Sequence, residues 1–287
     1  MKTRIISGIV MALIVATALA MGIYLSSVFI TLFIAAVTVV AVYEMLRNAV
    51  GIKSKSALTV GCVFSFLNLF ALDESVSEFL NMRLLQGTAQ KVHYFFRFEI
   101  SVTVCIVFFI IAAMVILIKH RDFTLTHIIA FCSMPIILSF AFSCLGGVLS
   151  HQNGIFYLLM LLNFSSICDT GAYFVGSTLG KHKLCPEISP KKTVEGAVGG
   201  VLSSVLVTLI LCFAFSLKTK LIPALILTVP FCILGMVGDL FASAIKRTAG
   251  IKDYGTLIPG HGGILDRFDS ILMIAPLFSV FVNLGVI

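Results

Sequence analysis

Nine runs of mainly apolar residues follow one another along this chain. They fall at roughly 5–22, 24–43, 57–73, 100–118, 127–149, 154–176, 197–217, 221–245 and 265–285, each near the ~20 residues a helix needs to span hydrocarbon. The runs are continuous and do not alternate, which excludes a β-barrel. Lipid offers no partner to a backbone N–H or C=O, so helices are the only reasonable spanning form. The predicted fold class is therefore all-α, a polytopic membrane protein of nine transmembrane helices. Composition agrees: 11% of residues are charged, against roughly 25% in an average soluble domain. The first run, MKTRIISGIVMALIVATALA, has the basic start and small-residue end of a signal peptide. A second apolar run follows at once, so a retained first helix is expected.

The net charge of +7 is not a nucleic-acid signal in such a chain, because placement of Lys and Arg matters more than their sum. With the N-terminus in the cytoplasm, the inner pieces hold Lys2, Arg4, Arg47, Lys53, Lys55, Lys119, Arg121, Lys181, Lys183, Lys191, Lys192, Lys246, Arg247, Lys252 and Arg267. These are 15 of the 20 basic residues. Arg83, Lys91, Arg97, Lys218 and Lys220 fall outside. This bias predicts a cytoplasmic N-terminus and an outer C-terminus. The outer segment at about 74–99 carries mixed charge and reads as an interfacial amphipathic helix. The eight cysteines form no CxxC pair or spaced metal set and read as small hydrophobes. Residues 1–125 read as a transmembrane scaffold and 126–287 as a transmembrane catalytic region, both within one membrane unit.

Polar residues concentrate in two inner loops and the adjoining helix ends. One segment is DTGAYFVGSTLGKHKLCPEISPKKTVEGAVGG, Asp169 to Gly200; the other is GDLFASAIKRTAGIKDYGTLIPGHGGILDRFD, Gly238 to Asp269. An aspartate at the centre of a span costs at least ~2.5 kcal/mol, so one found there by default faces a wet, protein-lined space and acts in it. Asp239, Ser243 and Lys246 stand at i, i+4 and i+7 and share one helix face, as do Asp266 and Asp269 at i and i+3. Two helices could bring Asp239 and Asp266 together around a Gly-rich loop. Such hard oxygen donors suit Mg²⁺, which uses one or two carboxylates plus substrate phosphates and water. Lys246, Arg247, Lys252 and Arg267 supply positive charge for phosphate oxygens. The run Pro259-Gly260-His261-Gly262-Gly263 precedes the last helix, where backbone can approach a ligand and N–H groups favour anions. These parts suggest phosphate chemistry at the cytoplasmic surface and do not name a nucleotide.

The run S-A-I-K-R, four residues, K-D, then P-G-H-G-G-I-L-D-R-F-D closely resembles the signature of the phosphatidate cytidylyltransferases, or CDP-diacylglycerol synthases. The upstream D-T-G-A-Y-F-V-G and S-P-K-K-T-V-E-G-A-V-G-G resemble that family too, so the likeness covers about residues 165–275. It implies a reaction in which CTP and phosphatidate give CDP-diacylglycerol and pyrophosphate with Mg²⁺. It implies Asp239 and Asp266 as metal carboxylates, and Lys246, Arg247, Lys252 and Arg267 on phosphates. Gly262 and Gly263 would form the turn, and His261 would place a phosphate or ribose. Asp169, Lys191, Lys192, Thr193 and Glu195 would form the facing wall, with Asp253 and Asp269 orienting basic residues and Ser243 on the shared face. It also implies a homodimer in the bacterial inner membrane. The chain departs from the pattern at Ala242, where many members carry an acid, and near Ser177, where many carry a base.

Plainer readings stand beside these. Asp239 and Asp266 could pair structurally with Lys246 or Arg267, and His261 could be an ordinary loop residue. Lys181 and Lys183 could serve topology and anionic lipid. Gly196, Gly199 and Gly200 read as close-packing positions. A CTP-dependent lipid-alcohol kinase would use similar parts, and its small product would be CDP. An anion transporter would show two related halves, and this chain shows no such symmetry.

Overall fold

The structure is a computed structural model that describes residues 2–24, 28–72 and 90–287. It is helical at all nine expected places. The helices are α1 Lys2–Tyr24, α2 Val28–Glu44, α3 Lys55–Leu72, α4 Gln90–Ile118, α5 Leu125–Ser150, α6 Gly154–Leu162, α7 Cys168–Leu179, α8 Val194–Ala214, α9 Leu221–Thr248 and α10 Leu265–Asn283. Among the described residues, seven segments are long and apolar enough to cross a membrane. In one of them, Gly154–Leu179, a π-turn at Asn163–Ile167 joins α6 to α7. Another π-turn, Met45–Ala49, closes α2. Residues 73–89, which include residues 74–89 of the expected interfacial segment, lie outside the described residues. From Gln90 the chain is one helix through Ile118. A short antiparallel hairpin of β1 Lys183–Cys185 and β2 Ser189–Thr193 adds to the helical plan.

The chain falls into two compact units that interleave in sequence. The first comprises Met1–Ser150 and Asp253–Arg267. Its core is apolar and aromatic: Phe64 stacks on Phe108 with ring centroids 4.0 Å apart, and Phe108 meets Phe131 edge-on. A Cβ on Gly61 would lie 2.8 Å from Leu46 Cδ1, so glycine sets how closely α3 approaches the end of α2. The buried amide of Asn68 donates to Ser139 Oγ at 2.8 Å and accepts from Ser101 Oγ at 3.1 Å. Polar groups in these spans thus find partners on neighbouring helices, as a lipid environment demands.

The second unit comprises His151–Lys252 and Phe268–Ile287. Its tightest contact is between α7 and α8, and glycine is the reason. A Cβ on Gly199 would overlap Val175, and one on Gly200 would come within 2.5 Å of the Cys168 carbonyl oxygen. The small residues therefore allow backbone-to-backbone approach. Phe164, Phe231 and Phe278 form an aromatic cluster with centroids 5.3 to 5.7 Å apart. Beside it, Asn163 Nδ2 donates to the Ser204 carbonyl and to Thr208 Oγ1, both at 3.0 Å, and Thr208 meets Thr228 at 2.8 Å. A Cβ on Gly238 would lie 2.9 Å from Met273 Cβ and 3.2 Å from the Asp269 carbonyl oxygen. This close approach seats α9 on the second-unit part of α10 immediately beside Asp239.

Candidate active site

In the second unit, β2 delivers Lys192 to α9. Lys192 Nζ stands 2.5 Å from Asp239 Oδ2, with the two side chains 23% and 26% exposed. The approach is a charge contact, since Nζ makes no hydrogen bond of ordinary geometry among the described residues. Asp169, in the first turn of α7, lies within electrostatic reach of both Lys192 and Asp239. Asp239 is the carboxylate in contact with that ammonium. Two turns beyond Asp239 on α9, Lys246 Nζ is 3.8 Å from Asp269 Oδ2. These side chains are only 11% and 13% exposed, so solvent screens their attraction less than on an open surface. Asp269 Oδ1 also accepts from Ser270 N at 2.8 Å. Ser243 is half-buried on the same helix, and Arg247 and Lys252 are exposed. Helix α9 ends in a glycine turn: Gly250 takes φ 69°, and Ile251 N donates to the Lys246 carbonyl at 2.9 Å. That turn leaves Lys246 and Arg247 in the last helical turn, where the helix dipole favours cations.

The rest of the S-P-K-K-T-V-E-G run holds the local architecture. Thr193 is buried and caps α8, its hydroxyl accepting from Gly196 N at 3.1 Å. Glu195 accepts from Lys181 N at 3.1 Å and His182 N at 3.2 Å, and meets His182 Nδ1 at 2.6 Å. Both side chains thereby pin the hairpin to the helix start. Lys191 is exposed on β2. Of the two departures, Ala242 is buried on α9, and the exposed Ser177 donates its hydroxyl to the Phe174 carbonyl at 3.0 Å.

In the first unit, the segment 253–267 folds around two carboxylates. Asp266 is buried, and its Oδ2 accepts from Tyr254 N at 2.8 Å and Gly263 N at 3.0 Å. It reaches back over the start of α10 much as the acid of a capping box does. The turn between closes on itself: Ile258 N donates to the Gly262 carbonyl, and His261 N to the Ile258 carbonyl, both at 2.9 Å. Gly262 takes φ 85°, a left-handed conformation that favours glycine. His261 Nδ1 stands 2.8 Å from Ser7 Oγ on α1, and that hydroxyl donates to the Pro259 carbonyl at 3.0 Å. Asp253 and Arg267 are exposed.

The second carboxylate, Glu44 at the end of α2, was no part of the expected site. It is buried, with Oε1 accepting from Ile264 N at 3.1 Å and Oε2 from Leu265 N at 2.9 Å. The signal for it was present as an ionisable residue inside the apolar run AAVTVVAVYEML. The expected residues thus divide between the units. Asp169, Lys191, Lys192, Thr193, Glu195, Asp239, Ser243, Lys246, Arg247, Lys252 and Asp269 belong to the second. Asp253, His261, Gly262, Gly263, Asp266 and Arg267 belong to the first.

Among the described residues, no group of three or more His, Cys, Asp or Glu side chains could by itself hold a metal ion. That absence does not disfavour Mg²⁺, which rarely has an all-protein cage and takes one or two carboxylates with substrate phosphates and water. Asp239 and Asp169 are hard oxygen donors, the chemistry that Mg²⁺ takes.

A sequence model of the cytidylyltransferase family matches residues 2–285. The phosphatidate cytidylyltransferase of Staphylococcus haemolyticus is 42% identical over 131 residues, which cover 46% of this chain and 50% of that protein. That of Staphylococcus saprophyticus is 42% identical over 154 residues, covering 53% and 58%. That of Staphylococcus epidermidis is 39% identical over 175 residues, covering 60% and 65%. The chain thus spans between 50% and 65% of the length of these curated relatives.

Proposed function

The chain belongs to the cytidylyltransferase family, and from that membership we propose that it transfers the cytidylyl group of CTP to phosphatidate, giving CDP-diacylglycerol and pyrophosphate. The observation that carries the reading is the charged face of α9, where Asp239 pairs with Lys192 and, two turns on, Lys246 faces Asp269. A triphosphate and a lipid phosphate bring several negative charges to one place. Lys192 and Lys246 are held by carboxylates that phosphate oxygens can displace, and the exposed Lys191, Arg247 and Lys252 add charge from the same unit. In the reaction a phosphatidate oxygen attacks the α-phosphorus of CTP. One P–O bond forms, the bond to pyrophosphate breaks, and pyrophosphate leaves with that electron pair. The attacking oxygen is already ionised, so the chain's task is positioning and charge neutralisation, without a dedicated general base.

Mg²⁺ would be held through Asp239 with Asp169 beside it, and when bound it supplies positive charge to phosphate oxygens. Asp239 keeps the Lys192 ammonium beside the phosphates, and Asp269 does the same for Lys246. Within the first unit, the 253–267 segment carries the exposed Arg267 and the Gly262–Gly263 turn, with His261 oriented through Ser7. The charge bias of the loops supports a cytoplasmic face for this chemistry.

The test uses purified protein in mixed micelles with Mg²⁺, phosphatidate and labelled CTP, and then sealed vesicles of both orientations. We expect labelled CDP-diacylglycerol with matching pyrophosphate, and synthesis only where CTP meets the cytoplasmic face. CDP with a phosphorylated lipid would move the chain to the lipid kinases. Absence of both products with well-folded protein would overturn the substrate assignment.

A further inference from the structure

We propose that Glu44 is a positioning residue for the segment carrying Asp266 and Arg267. Its carboxylate reaches across 220 positions of sequence and fixes the backbone where α10 begins. Only the kinetic arm of this inference rests on the reaction proposed above.

Three observations converge on it. First, Glu44 is 3% exposed, and both its oxygens are used on one short stretch, Oε1 on Ile264 N and Oε2 on Leu265 N. The first N–H groups of a helix have no partner within it, and a negative group there is favoured by the helix dipole. Glu44 supplies that acceptor from α2. Second, the segment is shaped around this carboxylate: a Cβ on Gly255 or on Gly263 would overlap it. The glycines on either side of the turn therefore leave room for the acid. Third, Asn48, one turn later in the same stretch, donates Nδ2 to the Tyr254 carbonyl at 2.5 Å, and Tyr254 is 1% exposed. The end of α2 thus grips both ends of the turn, with Asp266 closing it from inside through Tyr254 N and Gly263 N.

Chemistry explains why the residue is glutamate. An apolar side chain of that size would leave two buried N–H groups unsatisfied, which is costly. Glutamine presents one acceptor and turns an NH₂ donor toward the other N–H. Aspartate is one methylene shorter. Among side chains, only a carboxylate on a two-carbon stem offers two acceptors at this reach. Its burial and its two bonds to the segment give it no role in contacting a phosphate directly, so its influence passes through the backbone it holds.

The test compares Glu44→Gln, Glu44→Asp, Glu44→Ala, Gly255→Ala and the double variant Glu44→Ala with Gly255→Ala in the full chain. It reads amide hydrogen exchange over residues 254–265, and kcat and KM for CTP. We expect faster exchange confined to that segment in Glu44→Gln. We expect kcat to fall about 10- to 100-fold, as when groups that orient a site are lost, with KM for CTP changed less than about threefold. Gly255→Ala should reproduce the defect. The double variant should be no worse than Glu44→Ala alone, since the clash disappears with the carboxylate. If Glu44→Ala does not fold, the isosteric Glu44→Gln carries the comparison. Unchanged exchange in Glu44→Gln, or defects of Glu44→Ala and Gly255→Ala that multiply, would overturn the assignment. A wild-type protein that makes no CDP-diacylglycerol overturns the reaction instead, and the exchange data still decide Glu44.

Discussion

Lys192 and Asp239 meet at 2.5 Å, an ammonium at the end of a hairpin set against a carboxylate on a membrane-spanning helix. The hairpin can place Lys192 there because its last residue, Thr193, is itself the cap of α8. Glu195 fastens the hairpin's approach through Lys181 N and His182 N. The charge pair is therefore positioned by backbone architecture; the two side chains are partly exposed, while Lys192 Nζ itself is buried against Asp239.

Asp239→Asn keeps shape and removes charge. On the proposed reading, turnover of CTP falls about 10²-fold or more, because the carboxylate orients Lys192 and offers a hard oxygen to Mg²⁺. The side chain is 26% exposed, so its thermal midpoint in detergent should move little. Pyrophosphate release and a melting curve measure the two effects. Near wild-type turnover would remove Asp239 from the reaction.

Asp266 offers a cleaner separation. Both of its backbone bonds are made by one oxygen, Oδ2. Asparagine can keep that acceptor and lose the charge, whereas alanine loses both. Asp266→Ala should loosen the turn and lower activity. Asp266→Asn should keep the turn's protection from hydrogen exchange and still lose about 10²-fold in turnover if the charge is needed. Full activity in Asp266→Asn would make Asp266 a structural residue only.

The packing of α7 on α8 predicts a stability effect away from the charges. Gly199→Ala would force its methyl into Val175, an overpacking that costs about 1–3 kcal/mol. Val175→Ala in the same chain should recover part of that loss. Denaturation in mild detergent checks both, and an unchanged midpoint in Gly199→Ala would show that the helices can move apart at no cost.

Thr193 distinguishes capping from binding. Thr193→Ala removes the acceptor for Gly196 N and should cost ~1 kcal/mol of stability, while Thr193→Ser keeps it. If the hydroxyl is only a cap, KM for CTP stays near the wild-type value in both. A large rise in KM for Thr193→Ala with unchanged stability would return Thr193 to the substrate wall.

Much of the fold was legible because lipid leaves so few options. Each expected span coincides with a helix, within a few residues at most ends, and Gly199 and Gly200 are close-packing positions as their spacing suggested. The hairpin at Lys183–Thr193 has no strand signal in the sequence, since SPKKT carries no alternation of apolar and polar residues. The π-turn at Asn163–Ile167, sequence NFSSI, lies inside one continuous predicted span, and a single extra residue per turn is too small a change for hydrophobic periodicity to mark. The polar residues of the candidate site were recognisable by type and spacing, but their partners were not. The structure gives Thr193 the cap of α8 and Glu195 the backbone N–H groups of the hairpin, and a cap three residues before a backbone N–H is a pattern legible in sequence.

By itself, the sequence determined the all-helical, membrane-spanning class, the concentration of charge in two loops and the family to which the chain belongs. These follow from local physics and composition: the length of apolar runs, the cost of a charge in lipid and the identity of closely spaced polar residues. Only the tertiary structure decided what each carboxylate holds. It paired Asp239 with Lys192, turned Asp266 onto Tyr254 N and Gly263 N, and brought Glu44 across 220 positions to cap the last helix. A buried carboxylate must find donors wherever the fold provides them, and those donors lie at distances in sequence that no local pattern records.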